Sequence, residues 1–187
     1  MNEQQLSSID QDHVLLGDGD NHATEDSMDQ AVKYLTFHVN GEVYGSEIDR
    51  IKEIIEYGAI TRVPLTPKYL RGVINLRGNV VPVVDLAIRL DKQSNQVTKR
   101  TCIIIVEMKT PDDEIVDIGF VVDEVDEVMD IPDDQVSVAP QFGTDIRADF
   151  ISGMGKLYEK FVILLQLEEV LSIIELTELV ELESKES

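Results

Sequence analysis

Residues 69–86, YLRGVINLRGNVVPVVDL, and residues 150–167, FISGMGKLYEKFVILLQL, are two versions of one segment at a constant offset of 81. Tyr69 meets Phe150, Leu70 meets Ile151, Gly72 meets Gly153, Val80 meets Phe161 and Leu86 meets Leu167. Arms 71–77 and 79–86 of the first version read as a β-hairpin turning at Arg77-Gly78-Asn79. Pro82 in the second arm predicts an edge strand or a bulge, because proline cannot donate to a ladder. A second correspondence, YGSEIDRIKEII (44–55) with IGFVVDEVDEVM (118–129), runs at an offset of 74. It pairs Gly45 with Gly119, Ile48 with Val122, Asp49 with Asp123, Ile51 with Val125, Glu53 with Glu127 and Ile54 with Val128. Two copies of a short-stranded unit predict two similar β-subdomains, each about five strands in roughly 80 residues, the size of a small closed barrel.

The rest of the chain fits that plan. Leu35, Phe37 and Val39 alternate, and Asn40-Gly41 supplies the residues of a type I′ hairpin turn before Val43. One helical turn precedes the strand-like IKEIIEY (51–57), although Ile48, Ile51 and Ile55 also fit a helix. The polar run DKQSNQVTKR (91–100) separates the copies, giving subdomains over about 34–90 and 101–171 within a domain of 31–180. A C-terminal helix is expected over about 168–183, with Leu167, Val170, Leu171 and Ile174 as its apolar stripe and residues 184–187 frayed. Residues 1–30 hold eight acids and no Lys or Arg, the composition of a disordered acidic tail. Asp18, Asp20 and Asp29 faintly imitate a calcium loop, but Ala23 stands where the sharp turn needs glycine.

Charge narrows the class of partner. The net charge is −21, which opposes approach to nucleic acid or an anionic membrane surface. Half of the 16 bases nevertheless fall within 62–100: Arg62, Lys68, Arg71, Arg77, Arg89, Lys92, Lys99 and Arg100, opposed there only by Asp85 and Asp91. That stripe suits an acidic protein partner, or serves only to offset neighbouring acids. CIIIV (102–106) and FVILL (161–165) are far shorter than the roughly 20 residues of a membrane helix. No secretory signal is evident at the start, and the single Cys102 cannot form an internal disulfide, which together predict a reduced cytoplasmic protein.

Catalysis lacks its usual groups. His13 and His22 lie in the tail and His38 on the first strand, so a Ser-His or Cys-His nucleophile has almost nothing to draw on. Cysteine and histidine are too few for a zinc site, and no phosphate-binding glycine loop is present. Asp112-Asp113 and Asp133-Asp134 lie in turns beside proline, where aspartate serves backbone hydrogen bonding. No catalytic residue, metal or cofactor is expected. Strand alternation places Arg71, Val73, Asn75 and Arg77 on one face of the 70–77 strand, with the arginines directed at a partner. The competing reading is a stand-alone regulatory β-barrel that binds a small anionic ligand in the basic stripe.

Taken together, YGSEIDRIKEII, ITRVP, YLRGVINLRGNVVPVVDL, IGFVVDEVDEVMDI and FISGMGKL followed by FVILLQLEEVL resemble the CheW family of chemotaxis coupling proteins from about Tyr34 to Ser172. The Leu-Arg-Gly-x-x-x-Pro-x-x-Asp-Leu core at 76–86 is the strongest mark. The resemblance implies a mainly β fold of two SH3-like five-stranded barrels sharing a hydrophobic core, with short helices including a C-terminal one. It implies a non-catalytic adaptor that joins the cytoplasmic tips of methyl-accepting chemoreceptors to the histidine kinase CheA, whose regulatory domain has the same fold. Such a protein reaches membrane receptor arrays through its partners, without inserting in the membrane. Receptor contact in the family maps to Ile51, Glu53, Arg62, Arg77 and nearby Val128, and kinase or ring contact to Gln141 and Phe142.

Overall fold

A computed structural model of the chain describes residues 31–94, 96–139 and 145–186. The expected acidic tail and faint calcium loop, with Gln141 and Phe142, lie outside the described residues. The strands of the first copy are β1 (Ala31–Val39), β2 (Glu42–Glu47), β3 (Ile51–Glu56), β4 (Leu70–Leu76) and β5 (Asn79–Asp85), followed by the short helix α1 (Leu86–Arg89). Those of the second are β6 (Cys102–Lys109), β7 (Ile115–Val122), β8 (Glu124–Pro132), β9 (Val136–Ser137), β10 (Ile151–Leu157) and β11 (Lys160–Leu165), followed by the helix α2 (Ile173–Glu186).

Three hairpins close on two-residue loops, two of them with the glycine that local chemistry favours. Asn40-Gly41, Arg77-Gly78 and Tyr158-Glu159 are two-residue loops with positive φ at both positions, the geometry of type I′ turns. The repeat is equally literal. Both closing hairpins carry a register shift at the same place, between Leu70 and Gly72 and between Ile151 and Gly153. Asp85 donates its backbone N–H to Tyr69 O at 2.7 Å, and Gln166 donates to Phe150 O at 2.9 Å. The parallel pair Val83–Gly119 matches Leu164–Gly45 under the two offsets together.

The copies are exchanged between the sheets. The five-stranded sheet runs β3-β6-β7-β5-β4 and the six-stranded sheet β8-β1-β2-β11-β10-β9. Each therefore takes the opening hairpin of one copy and the closing strands of the other, so the contiguous halves expected over 34–90 and 101–171 do not coincide with the sheets. The connectors explain this. Only the 3₁₀ turn Ile48–Arg50 separates β2 from β3, and only Asp123 separates β7 from β8, so the chain passes straight into the opposite sheet. The single helical turn expected before 51–57 is that 3₁₀ turn, and the segment after it is a strand.

Three apolar groups fill the architecture. Ile74, Val81, Val83, Ile103, Ile105 and Val121 fill the first barrel, and Tyr34, Ile131, Val162 and Leu164 fill the second. The largest cluster lies between them and includes Phe37, Tyr44, Ile104, Phe120, Leu86 and Leu176, so the expected shared core is present. The first barrel is completed by the segment after β3, where Thr61 and Val73 exchange backbone bonds of 2.9 and 2.8 Å. This also accommodates Pro82, which lies on an interior strand and not on an edge. Val73 directs both of its backbone groups to Thr61, so Pro82 opposite it owes no donor to β4.

The C-terminal helix begins later than expected. Ser172 and Glu175 form a capping box, with Ser172 N–H donating to Glu175 Oε2 at 2.7 Å and Glu175 N–H donating to Ser172 Oγ at 3.3 Å. Leu167, Val170 and Leu171 are buried in the turn before it, Leu176 and Leu179 provide its core face, and Ile174 is exposed.

Candidate functional site

The site residues converge at the start of β3 and the tip of the β4–β5 hairpin. A register shift between Ile51 and Glu53 against β6 leaves Lys52 without a partner residue and re-aims the strand. Ile51 packs partly buried against the shared core and opens onto a groove of about 570 Å³ between β3, β6 and the C-terminal segment. Met108, Leu171 and Leu176 supply further apolar lining. The groove carries ion pairs at its rim: Arg50 with Glu168 at 3.5 Å, and Lys52 with Glu107 at 2.9 Å and with Asp117 at 3.0 Å. The longer, more exposed Arg50–Glu168 pair stabilises little and is displaced readily by an incoming partner.

Glu53 lies two residues along β3 and meets Arg77 in a bidentate pair, Nη1 to Oε1 and Nη2 to Oε2, both at 2.7 Å. The arginine is held there by its turn, where Gly78 N–H donates to Asn75 Oδ1 at 3.0 Å. Arg77 is 72% exposed and Glu53 only 20%, so the guanidinium presents its outer edge to solvent while the carboxylate sits behind it. The arginine holds the Glu53 carboxyl below its ordinary value of 4.5. A carboxyl lowered by folding contributes stability above its unfolded pKa and loses it as pH falls through its folded pKa. The pair is therefore fully formed above pH 4.5 and opens only as pH falls further, through the lowered folded value. Titration of Glu53 by carboxyl NMR will show an inflection below 4.5 in the native protein that moves upward in Arg77→Ala; an unmoved inflection would remove Arg77 as its cause.

The other expected contacts do not join this pair. Arg62 is exposed beside Lys68 at a separate hollow of about 280 Å³. Val128 is exposed on β8, opposite Leu35 in the other sheet, as the repeat partner of Ile54. The basic stripe is also not a continuous cationic face. Arg71–Asp85, Arg77–Glu53, Arg89–Glu175, Lys92–Glu42 and Arg100–Glu124 are all ion pairs at 3.1 Å or less, formed with carboxylates distant in sequence.

Arg71, expected on the outer face with Arg77, turns instead to buried Asp85, because the register shift beside it breaks the alternation. Arg89 is internal too. It donates to Val170 O and stacks over Tyr69 and Phe150, with its guanidinium carbon 4.9 and 5.4 Å from the ring centres. It thereby clamps α1 to the C-terminal segment. Sequence reasoning missed Met108, Leu171 and Leu176 as groove residues, because they come from strand, turn and helix with no common period.

Residues 33–175 match the family model of the CheW-like domain. The chain belongs to the CheW-like family. It is 33% identical to the chemotaxis protein CheW of Klebsiella aerogenes over 140 residues, covering 75% of this chain and 81% of that one. It is 35% identical to CheW of Bacillus subtilis over 122 residues, covering 64% of this chain and 75% of the relative. The crystal structure of the scaffolding protein TtCheW from Thermoanaerobacter tengcongensis superposes with a TM-score of 0.69 at 30% identity, covering 80% of this chain and 93% of that one. The chain is a chemotaxis adaptor of the CheW type, and the family is one of non-catalytic scaffolds. No helix among the described residues is long and apolar enough to cross a membrane.

Proposed function

We propose that this CheW-like chain couples the cytoplasmic tips of methyl-accepting chemoreceptors to the regulatory domain of the kinase CheA and helps assemble the signalling array. The observation that carries this reading is the juxtaposition of the groove beside Ile51, apolar at its floor and charged at its rim, with the exposed fork of Arg77 braced on Glu53. An apolar anchor next to an oriented guanidinium suits a helical receptor tip: the groove desolvates its apolar stripe while Arg77 sets register and charge selectivity. Arg62 and Val128 enter as outlying contacts on separate surfaces, and Gln141 and Phe142 as contacts to the kinase or its ring. The protein acts in the cytoplasm and reaches the membrane array through these partners.

The test is reconstitution with receptor signalling fragments and kinase. The wild-type protein will enter a ternary assembly and make autophosphorylation receptor-dependent; failure to do either ends the coupling reading. Arg77→Glu will weaken receptor association on the order of tenfold, because it opposes Glu53 and reverses the charge offered to the partner. Its far-UV circular dichroism will be unchanged, since the side chain is exposed. Unaltered coupling in that variant would take Arg77 out of the contact.

A further inference from the structure

The same hairpin carries different chemistry in the two barrels. Under the two offsets, Glu53 and Arg77 of the first barrel correspond to Glu127 on β8 and Tyr158 at the β10–β11 turn. In the first barrel the fork of Arg77 spans from the turn to β3. In the second the equivalent carboxylate is exposed and makes no ion pair among the described residues. Opposite it, Tyr158 is 76% and Phe161 65% exposed. Between them lies a hollow of about 530 Å³, with Val43, Leu157 and Ile163 as further apolar lining.

The turn itself is locally unfavourable. Tyr158 and Glu159 have φ of 43° and 66°, conformations for which a type I′ turn normally takes asparagine or glycine. The exposed tyrosine ring recovers little from packing within its own chain. The rim carries an excess of acid: Glu42, Asp126 and Glu127 against Lys160. Glu42 is already held by Lys92 at 3.0 Å and Tyr44 at 2.6 Å, and Asp126 lies 3.7 Å from His38 Nε2. Glu127 is the carboxylate left open toward the hollow.

We propose that this hollow is a docking site for a protein segment presenting an arginine beside an apolar side chain. The partner's guanidinium takes the place that Arg77 fills in the first barrel, forking onto Glu127 and lying on the Tyr158 ring. The apolar neighbour enters the hollow against Phe161. Arginine is favoured over lysine because its planar fork matches a carboxylate and stacks on an aromatic face. Exposed Tyr and Phe beside an unpaired acid are the composition of an interface anchor. The surface lies on the barrel that contains neither Arg77 nor Glu53, so it adds a contact beyond the receptor groove.

The test uses the full chain, with acetyl-Leu-Arg-Leu-amide as probe and the same peptide carrying citrulline, the uncharged isostere, as control. Amide resonances of Glu127, Tyr158 and Phe161 will shift with the arginine peptide, and the citrulline peptide will bind on the order of tenfold more weakly. Tyr158→Arg combined with Glu159→Gly transplants the Arg-Gly turn of the first barrel. It will keep or raise the melting temperature and abolish peptide binding, because the chain then supplies its own fork to Glu127. Phe161→Ser will also lose binding. Shifts spread over the surface, equal affinity for the citrulline peptide, or undiminished binding by the transplanted turn would each overturn the proposal. The titration needs neither receptor nor kinase, so its failure and failure of the coupling reading are separate results.

Discussion

Gly72→Ala will destabilise the protein by about 4 kcal/mol, the sum of a strained backbone and a steric clash of a few kcal/mol each. Gly72 has φ of 143°, a conformation that side-chain-bearing residues rarely adopt. An added Cβ would stand 2.1 Å from Thr61 O and 2.7 Å from Ile60 Cγ2. The obstacle is backbone, and it cannot retreat without breaking the two Thr61–Val73 hydrogen bonds that complete the first barrel. Urea denaturation will show the loss as a lower midpoint, and the melting temperature will fall by about 10 °C or more. The repeat provides a control: a Cβ on Gly153 would meet Ser137 O at 2.9 Å, so Gly153→Ala will lose less. A Gly72→Ala protein melting within a few degrees of wild type would show that the 57–61 segment is not fixed to β4.

Asp85→Ala will cost about 3–5 kcal/mol, the range found when one partner of a buried ion pair is removed. The Asp85 side chain is 3% exposed and both of its oxygens accept hydrogen bonds. Oδ2 accepts from Arg71 Nε at 2.8 Å and from Ser94 Oγ at 2.5 Å, and Oδ1 caps α1 through Ile88 N–H at 3.2 Å. Arg71 also donates to Ser94, so the three side chains form a closed triangle that fastens the 91–100 connector to the first barrel. Asp85→Asn keeps an acceptor for the cap and the serine but loses the charge, and will fall between Ala and wild type. Limited proteolysis will find the connector cut faster in both variants. An unchanged denaturation midpoint in Asp85→Ala would show that the triangle is incidental.

These two residues show which parts of the fold were legible. Gly72 stood out because it recurs as Gly153 at the same place in the second copy, and its conserved spacing from the following turn survives into the register of both hairpins. Asp85 stood out only as part of the 76–86 motif. Nothing local linked it to Arg71 and Ser94, because the register shift that turns Arg71 inward depends on how β4 meets β5. The candidate site divides in the same way. Ile51, Glu53 and Arg77 were named from family resemblance, while their arrangement, with Glu53 and Arg77 as one bidentate pair beside a groove, required the strands to be placed. The basic stripe left two readings open because charge was counted along the chain, where Asp85 and Asp91 are its only acids, while in space five of its eight bases are answered by carboxylates in ion pairs.

By itself the amino-acid sequence determined the hairpins, the two-copy plan, the buried strands and the family, because turn chemistry, alternation and repeat spacing act over a few residues or recur at a fixed interval. Only the tertiary structure decided which copy's strands share a sheet, since connectors of three residues and one residue carry the chain across the shared core in place of folding it back. It alone decided which arginines face outward. An ion pair is a meeting of groups in space, and Arg71, Arg77 and Arg89 differ in fate because different carboxylates reach them.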